Sequence, residues 1–252
     1  MSMPRKRSAT SRRKPASRRS GSGRRTGLHR LERSLFALVL MLLVATVAVT
    51  RLTGSRSLAA RLEEAWQNRP RPVAAAEGRR VGLIAGHKGY DSGAVCPNGV
   101  VEQEVVQRIA ELAAERLRRA GAAVELLDEY DARLNGYRAD VLVSIHADSC
   151  IERSGFKAAR WADSPRPAPG DRLLACLVQA YGEATALAFD HHSITEDMTA
   201  YHAFRRVAAE TPAAIVEVGF LGGDQVLLTQ QPERPARGIA NGILCFLEGP
   251  TE

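Results

Sequence analysis

Four residues of this sequence carry the side chains of hydrolytic metal chemistry at positions where a fold can bring them together: His87, Glu102, His146 and Glu217. Two imidazoles and a carboxylate occupy three corners of a tetrahedral zinc and leave one for water, and a second carboxylate beside it can take the proton from that water. His87, Glu102 and His146 are therefore the candidate metal ligands and Glu217 the candidate catalytic carboxylate. Each also has a plainer explanation. His87 suits a turn, Glu102 is a favourable charge at a helix N-terminus worth about 0.3–1 kcal/mol, and His146 fits a satisfied core histidine. Their joint position is what raises the metal reading above these.

That position follows from the elements around them. Residues 80–85 read as a short buried strand broken by Gly86, and His87 opens the loop that follows. The loop, rich in Gly and Asp, ends at Glu102, where apolar residues at Val105, Val106, Ile109, Leu112, Ala113 and Leu117 predict a helix over 102–120, stopped by Gly121. Strands are expected at 123–127, 140–145, 155–161 and 213–217, and helices at 171–188 and 235–248. Arg160, Pro165, Pro167 and Pro169 mark a loop before the 171–188 helix. The alternation predicts an α/β fold, a mostly parallel twisted sheet with helices on both faces. In such sheets the carboxyl ends of the strands share one crevice. His87 follows the first strand, His146 terminates 140–145 and Glu217 terminates 213–217, so all three fall on one rim, within reach of Glu102.

Other histidines are not expected at the site. His29 belongs to a basic N-terminal arm, and His191, His192 and His202 lie in or beside the polar stretch FDHHSITEDMTAYH, which ends no predicted strand. Ser144 and His146 share a strand face, but no acid partner or nucleophile elbow accompanies them, which argues against a serine hydrolase.

The chain begins differently. Residues 1–33 hold 12 Lys or Arg against the single acid Glu32, a local net charge of +11 on a chain of net +7, so the remainder sums to −4. With almost no apolar residues this arm is expected to be disordered. Residues 34–50 (SLFALVLMLLVATVAVT) are uncharged and apolar all round, the pattern of a single transmembrane helix at the short end of the range. The positive-inside rule then keeps the arm cytoplasmic and places the rest on the extracytoplasmic side of the membrane. An uncleaved signal anchor is preferred to a cleaved signal peptide, because no convincing cleavage site follows. Residues 51–79, with one possible short helix at 57–67, read as a spacer, and 80–250 as one domain. No nucleic-acid partner is expected.

Four ordered motifs, AGHKGYDSGA (85–94), VEQEVVQRIA (101–110), VSIHADS (143–149) and AAIVEVGFLGG (213–223), resemble the zinc-dependent N-acetylmuramoyl-L-alanine amidases of the type-3 amidase domain family. The resemblance covers about 80–248. It implies Zn2+ at His87, Glu102 and His146, Glu217 as the catalytic carboxylate, and peptidoglycan (a muramyl peptide) as substrate. Glu104 competes for the ligand role, but the family's register, with the carboxylate seven residues ahead of the Ile109-Ala110 pair, selects Glu102. Three departures stand out: Lys88 for the usual Gly, Asp148 for Asn, and Gly222-Gly223 for Ser-Asn. The connection from Leu127 to Asp140 is also shorter than usual. Alternatives of other classes are a catalytically idle peptidoglycan-binding domain on the same fold and a membrane-anchored scaffold.

Cys96 and Cys150 lie in the loops after His87 and after the His146 strand, in a compartment where disulfides persist, and the sequence leaves open whether they pair. Cys176 and Cys245 fall on apolar helix faces and are expected as buried free thiols. Oligomeric state is not legible.

Overall fold

The computed structural model describes residues 37–42 and 76–249. Residues 37–42 form a short helical stretch with exposed side chains, and the rest of the proposed 34–50 span, like the arm and most of the spacer, lies outside the described residues. Among the described residues no helix is long and apolar enough to cross a membrane.

From Ala76 onward the chain builds a five-stranded sheet of order β2-β1-β3-β5-β4. β1 (Arg80–Ala85) pairs in parallel with β2 (Ala123–Leu127) and β3 (Val141–Asp148), and β3 with β5 (Ala213–Phe220). The short edge strand β4 (Lys157–Arg160) is antiparallel to β5. The expected α/β class and mostly parallel sheet are therefore present, and the 80–85 and 123–127 strands have the expected bounds.

Helices lie on both faces as expected, but unequally, long ones on one side and single short turns on the other. The three long helices, α1 (Glu102–Arg119), α2 (Pro167–Thr185) and α5 (Glu233–Glu248), share one apolar cluster with Val81, Leu83, Val143, Ile145, Val216 and Val218. The opposite face holds Ile84, Leu127, Leu142 and Ile215 and is covered by Leu134, Tyr137, Tyr201, Phe204 and Met198. The last of these lies on the four-residue helix α3 (Glu196–Thr199). A second unexpected short helix, α4 (Gln225–Gln230), follows β5. The period-2 alternation of the strands sends neighbouring residues to the two faces, so the sequence shows that both are covered but not by what.

Two boundaries matter for the site. β3 and β5 run two or three residues past His146 and Glu217, so neither residue terminates its strand as expected, and a register irregularity falls between His146 and Asp148. The helix expected at 171–188 begins at Pro167, with proline in its first turn, where the missing N–H costs nothing. Pro167 and Pro169 therefore belong to α2 and not to the loop before it.

Both cysteine pairs are disulfides, Cys96–Cys150 and Cys176–Cys245. The second overturns the free-thiol expectation: Cys176 and Cys245 sit at the edge of the α2–α5 contact, where the close approach of the two helices brings them together. Gly238 and Gly242 permit that approach, since a Cβ on either would stand 2.8 Å from Tyr181 or Leu177.

Candidate active site

The loop after β1 delivers the first histidine in an unusual backbone state. His87 has φ +64°, a left-handed conformation that costs a β-carbon-bearing residue of order 1–3 kcal/mol and persists only where its surroundings fix it. Here they do. The His87 N–H donates to Glu129 Oε2 at 3.0 Å, its carbonyl accepts from Tyr90 and Asp91, and its Nδ1 lies 2.5 Å from Asp91 Oδ1. The ring is thereby turned so that Nε2 faces Glu102 Oε1 at 3.0 Å.

Glu102 enters from the first turn of α1. Its Oε2 accepts the Ala94 N–H at 3.0 Å and its Oε1 the Ala147 N–H at 3.1 Å, so one buried carboxylate ties the loop, the helix and β3 together. Burial alone would raise its pKa, but His146, His87 and those two backbone amides outweigh it and hold the group at about 2. The carboxylate is ionised under any working condition.

His146 lies inside β3 with Nδ1 3.5 Å from Glu102 Oε1 and Nε2 3.2 Å from Glu129 Oε2. Burial works against its charged form, yet Glu102 and Glu129 together push its pKa up to about 10. Gly86 makes room for the ring, because a Cβ there would stand 2.6 Å from the imidazole. Gly93 does the same for Glu102 and His87, at 2.6 and 2.7 Å, and has φ +60°.

Glu217 reaches the cluster by register. It is the direct partner of His146 across the β3–β5 ladder and of Lys157 across β5–β4. Part of the side chain keeps some surface, but its Oε2 is sealed from solvent and has no hydrogen-bond partner. Burial, opposed by His146, reinforced by Glu102, raises its pKa to about 7, the range of a working general base.

The four predicted residues are thus brought together. His87, Glu102 and His146 each offer one ligand atom, all within 4.8 Å of one another, among the described residues the only such group. The donor set suits zinc, two imidazole nitrogens and one carboxylate oxygen, with Glu217 the register partner of His146. Glu104, the competitor, is exposed on α1 and outside the group.

Sequence reasoning missed the surround. Glu129, two residues beyond β2, touches both histidines, and Tyr201 and His202, assigned no role, each donate to its Oε1 at 2.8 Å. The polar stretch they occupy offered no periodic signal; only the fold carries it over β3. His191 and His192 pack against each other with tilted rings and are not part of the group. Ser144 Oγ donates to the Tyr201 hydroxyl at 3.0 Å, so it is a structural hydroxyl.

The departures acquire partners too. Lys88 pairs with Asp128, and Asp148 with the buried Lys157. At Gly223 a Cβ would stand 2.0 Å from Arg153 O, and at Gly222 2.3 Å from Ile151 O, because the loop after Cys150 lies directly on both.

Comparison with known proteins agrees with this geometry. The sequence pattern of the N-acetylmuramoyl-L-alanine amidase family matches residues 81–245. An uncharacterized protein of Bacillus subtilis, YqiI, is 26% identical over 180 residues, covering 66% of this chain and 84% of that one. N-acetylmuramoyl-L-alanine amidase AmiC of Neisseria meningitidis serogroup B is 37% identical over 91 residues, 32% of this chain and 22% of that one. Among solved structures, an N-acetylmuramyl-L-alanine amidase of Mycobacterium smegmatis shares the fold with a TM-score of 0.59 at 17% identity, over 69% of this chain and 99% of that one. With the match spanning 81–245 and every residue of the cluster, the chain belongs to the N-acetylmuramoyl-L-alanine amidase family, hydrolases of the amide bond between N-acetylmuramic acid and L-alanine in peptidoglycan.

Proposed function

We propose that the chain hydrolyses this bond as a zinc enzyme, with His87, Glu102 and His146 holding the ion and Glu217 handling the proton. The observation that carries the reading is the convergence of three donors, one of them His146, the ladder partner of Glu217, whose Oε2 is sealed and unpaired. When bound, zinc supplies Lewis acidity, polarising the scissile carbonyl and making a water acidic enough to attack near neutral pH. Glu217 accepts a proton from the attacking water and returns it to the nitrogen of L-alanine as the carbon–nitrogen bond breaks, leaving a lactyl carboxylate and a free amine. Ionised Glu102 holds negative charge among the donors, and the backbone amides of Ala94 and Ala147 keep its oxygens in place.

The same proposal extends to location. The basic arm and the apolar run at 34–50 support a single-pass anchor in the bacterial cytoplasmic membrane with the hydrolase outside. Two disulfides favour an oxidising compartment. Metal analysis of the full chain purified in detergent, with digestion of cell walls, tests the catalytic reading. One zinc per chain and release of stem peptides are expected; wall binding without zinc or cleavage would instead favour an idle binding domain.

A further inference from the structure

We propose that Glu129 is a positioning residue for the metal centre, one buried carboxylate that fixes both histidines, His87 through its backbone and His146 through its outer ring nitrogen. The inference rests on the zinc reading above.

Glu129 lies outside all four motifs that identify the family, yet it is buried and fully engaged. Its Oε2 accepts the His87 N–H at 3.0 Å and faces His146 Nε2 at 3.2 Å. Its Oε1 accepts the Tyr201 hydroxyl and His202 Nε2, each at 2.8 Å. Three donors thus bond a group that can only accept, the His87 N–H on Oε2 and Tyr201 and His202 on Oε1, while His146 Nε2 makes an unaligned close contact with Oε2. Tyr201 is itself held by Ser144 on the same strand as His146, which closes the network onto β3.

Two consequences for the ligands follow. The left-handed backbone at His87 needs its N–H satisfied where it points inward, and Glu129 is the acceptor there. His146 Nε2 is buried without any aligned hydrogen bond, and the nearest acidic oxygen is that of Glu129. The Glu129 carboxylate packed against Nε2 holds the ring with its other nitrogen, Nδ1, turned to Glu102 Oε1 at 3.5 Å, within the donor group. Glutamine cannot reproduce this, since its single oxygen can meet either the His87 N–H or the Tyr201 and His202 donors and its NH2 must face the other side.

The test is the zinc dissociation constant of the full chain, read by competition with a chromophoric chelator. It is measured for the unsubstituted protein, Glu129→Gln, Tyr201→Phe and, as a neighbouring acid whose partner is Lys88, Asp128→Asn. Glu129→Gln is expected to bind one zinc about 10- to 100-fold more weakly, Tyr201→Phe to lose less, and Asp128→Asn to match the unsubstituted protein. Should Glu129→Gln fail to fold, judged by the melting of the metal-free chain, Tyr201→Phe decides, and unaltered affinity there overturns the proposal. Unaltered affinity in a folded Glu129→Gln overturns it as well. Complete loss of zinc, as for a deleted ligand, would make Glu129 a ligand instead. If the unsubstituted protein binds no zinc, the metal reading falls and takes this one with it, an outcome seen before any variant is compared.

Discussion

At the scale of residues, the division between ligands and base is the sharpest prediction. His87→Ala or His146→Ala removes one of three protein donors and should abolish most bound zinc. Glu217→Gln keeps the shape but cannot accept a proton, so zinc should stay while turnover falls by on the order of 10² to 10⁴. Metal content and hydrolysis of a muramyl peptide, measured on the same preparations, separate the two outcomes. Zinc lost from Glu217→Gln would make that residue a ligand. The charges also set a stability profile for the zinc-free protein. Glu102, lowered from 4.5 to about 2, contributes stability that is complete above pH 4.5 and lost as the pH falls toward 2. His146, raised from 6.5 to about 10, contributes stability that is complete below pH 6.5 and lost as the pH rises through 10. Glu217, raised from 4.5 to about 7, also favours the lower side. Thermal melting in a chelator should therefore peak between pH 4.5 and 6.5. Added zinc should flatten the alkaline decline, because a ligand imidazole is neutral.

At the scale of elements, the site depends on close approaches that only glycine permits. Gly86 ends β1 directly against the His146 ring, so Gly86→Ala, with its Cβ at 2.6 Å, must displace the imidazole or the strand end. Overpacking of this kind costs about 1–3 kcal/mol. Zinc retention should suffer more than the melting temperature, which equilibrium dialysis alongside calorimetry would reveal; an unchanged zinc content would mean the strand end yields freely. The helices are pinned as well. Cys176–Cys245 joins α2 to α5 across 69 residues of chain, a loop whose closure removes about 4 kcal/mol of unfolded-state entropy in the chain-entropy account. Cys176→Ser together with Cys245→Ser should lower the unfolding free energy by up to that amount without changing zinc content, because the pair links α2 to α5 and neither helix carries a residue of the donor group. Denaturant titration gives the number.

At the scale of the whole molecule, charge and redox state make separate predictions. All four cysteines are paired, so thiol titration of the denatured, unreduced chain should find none free and four after reduction. Free thiols before reduction would remove one support for an outside location. The charge asymmetry across 34–50 predicts that protease added to intact spheroplasts removes the hydrolase and spares the basic arm. Protection of the hydrolase would reverse the proposed topology.

How much of this was legible beforehand depends on the kind of signal. His87, Glu102, His146 and Glu217 could be found because each stands next to a periodic element, and a parallel sheet gathers strand ends whatever the intervening sequence. The order of the sheet's chemistry was therefore fixed locally, by apolar runs, one broken strand and one helix start. Glu129, Tyr201 and His202 had no such anchor. They sit in irregular connections whose path over the sheet is set by packing of Leu134, Tyr137, Met198 and Phe204 against Ile84, Leu142 and Ile215. The pairing of Cys176 with Cys245 was likewise hidden, because helical periodicity shows an apolar face but not which helix meets it. The sequence by itself determined the candidate cluster and the mostly parallel sheet, since short-range pattern specifies elements. Only the tertiary structure decided what surrounds the cluster, because contacts between irregular segments depend on chain paths that no local period records.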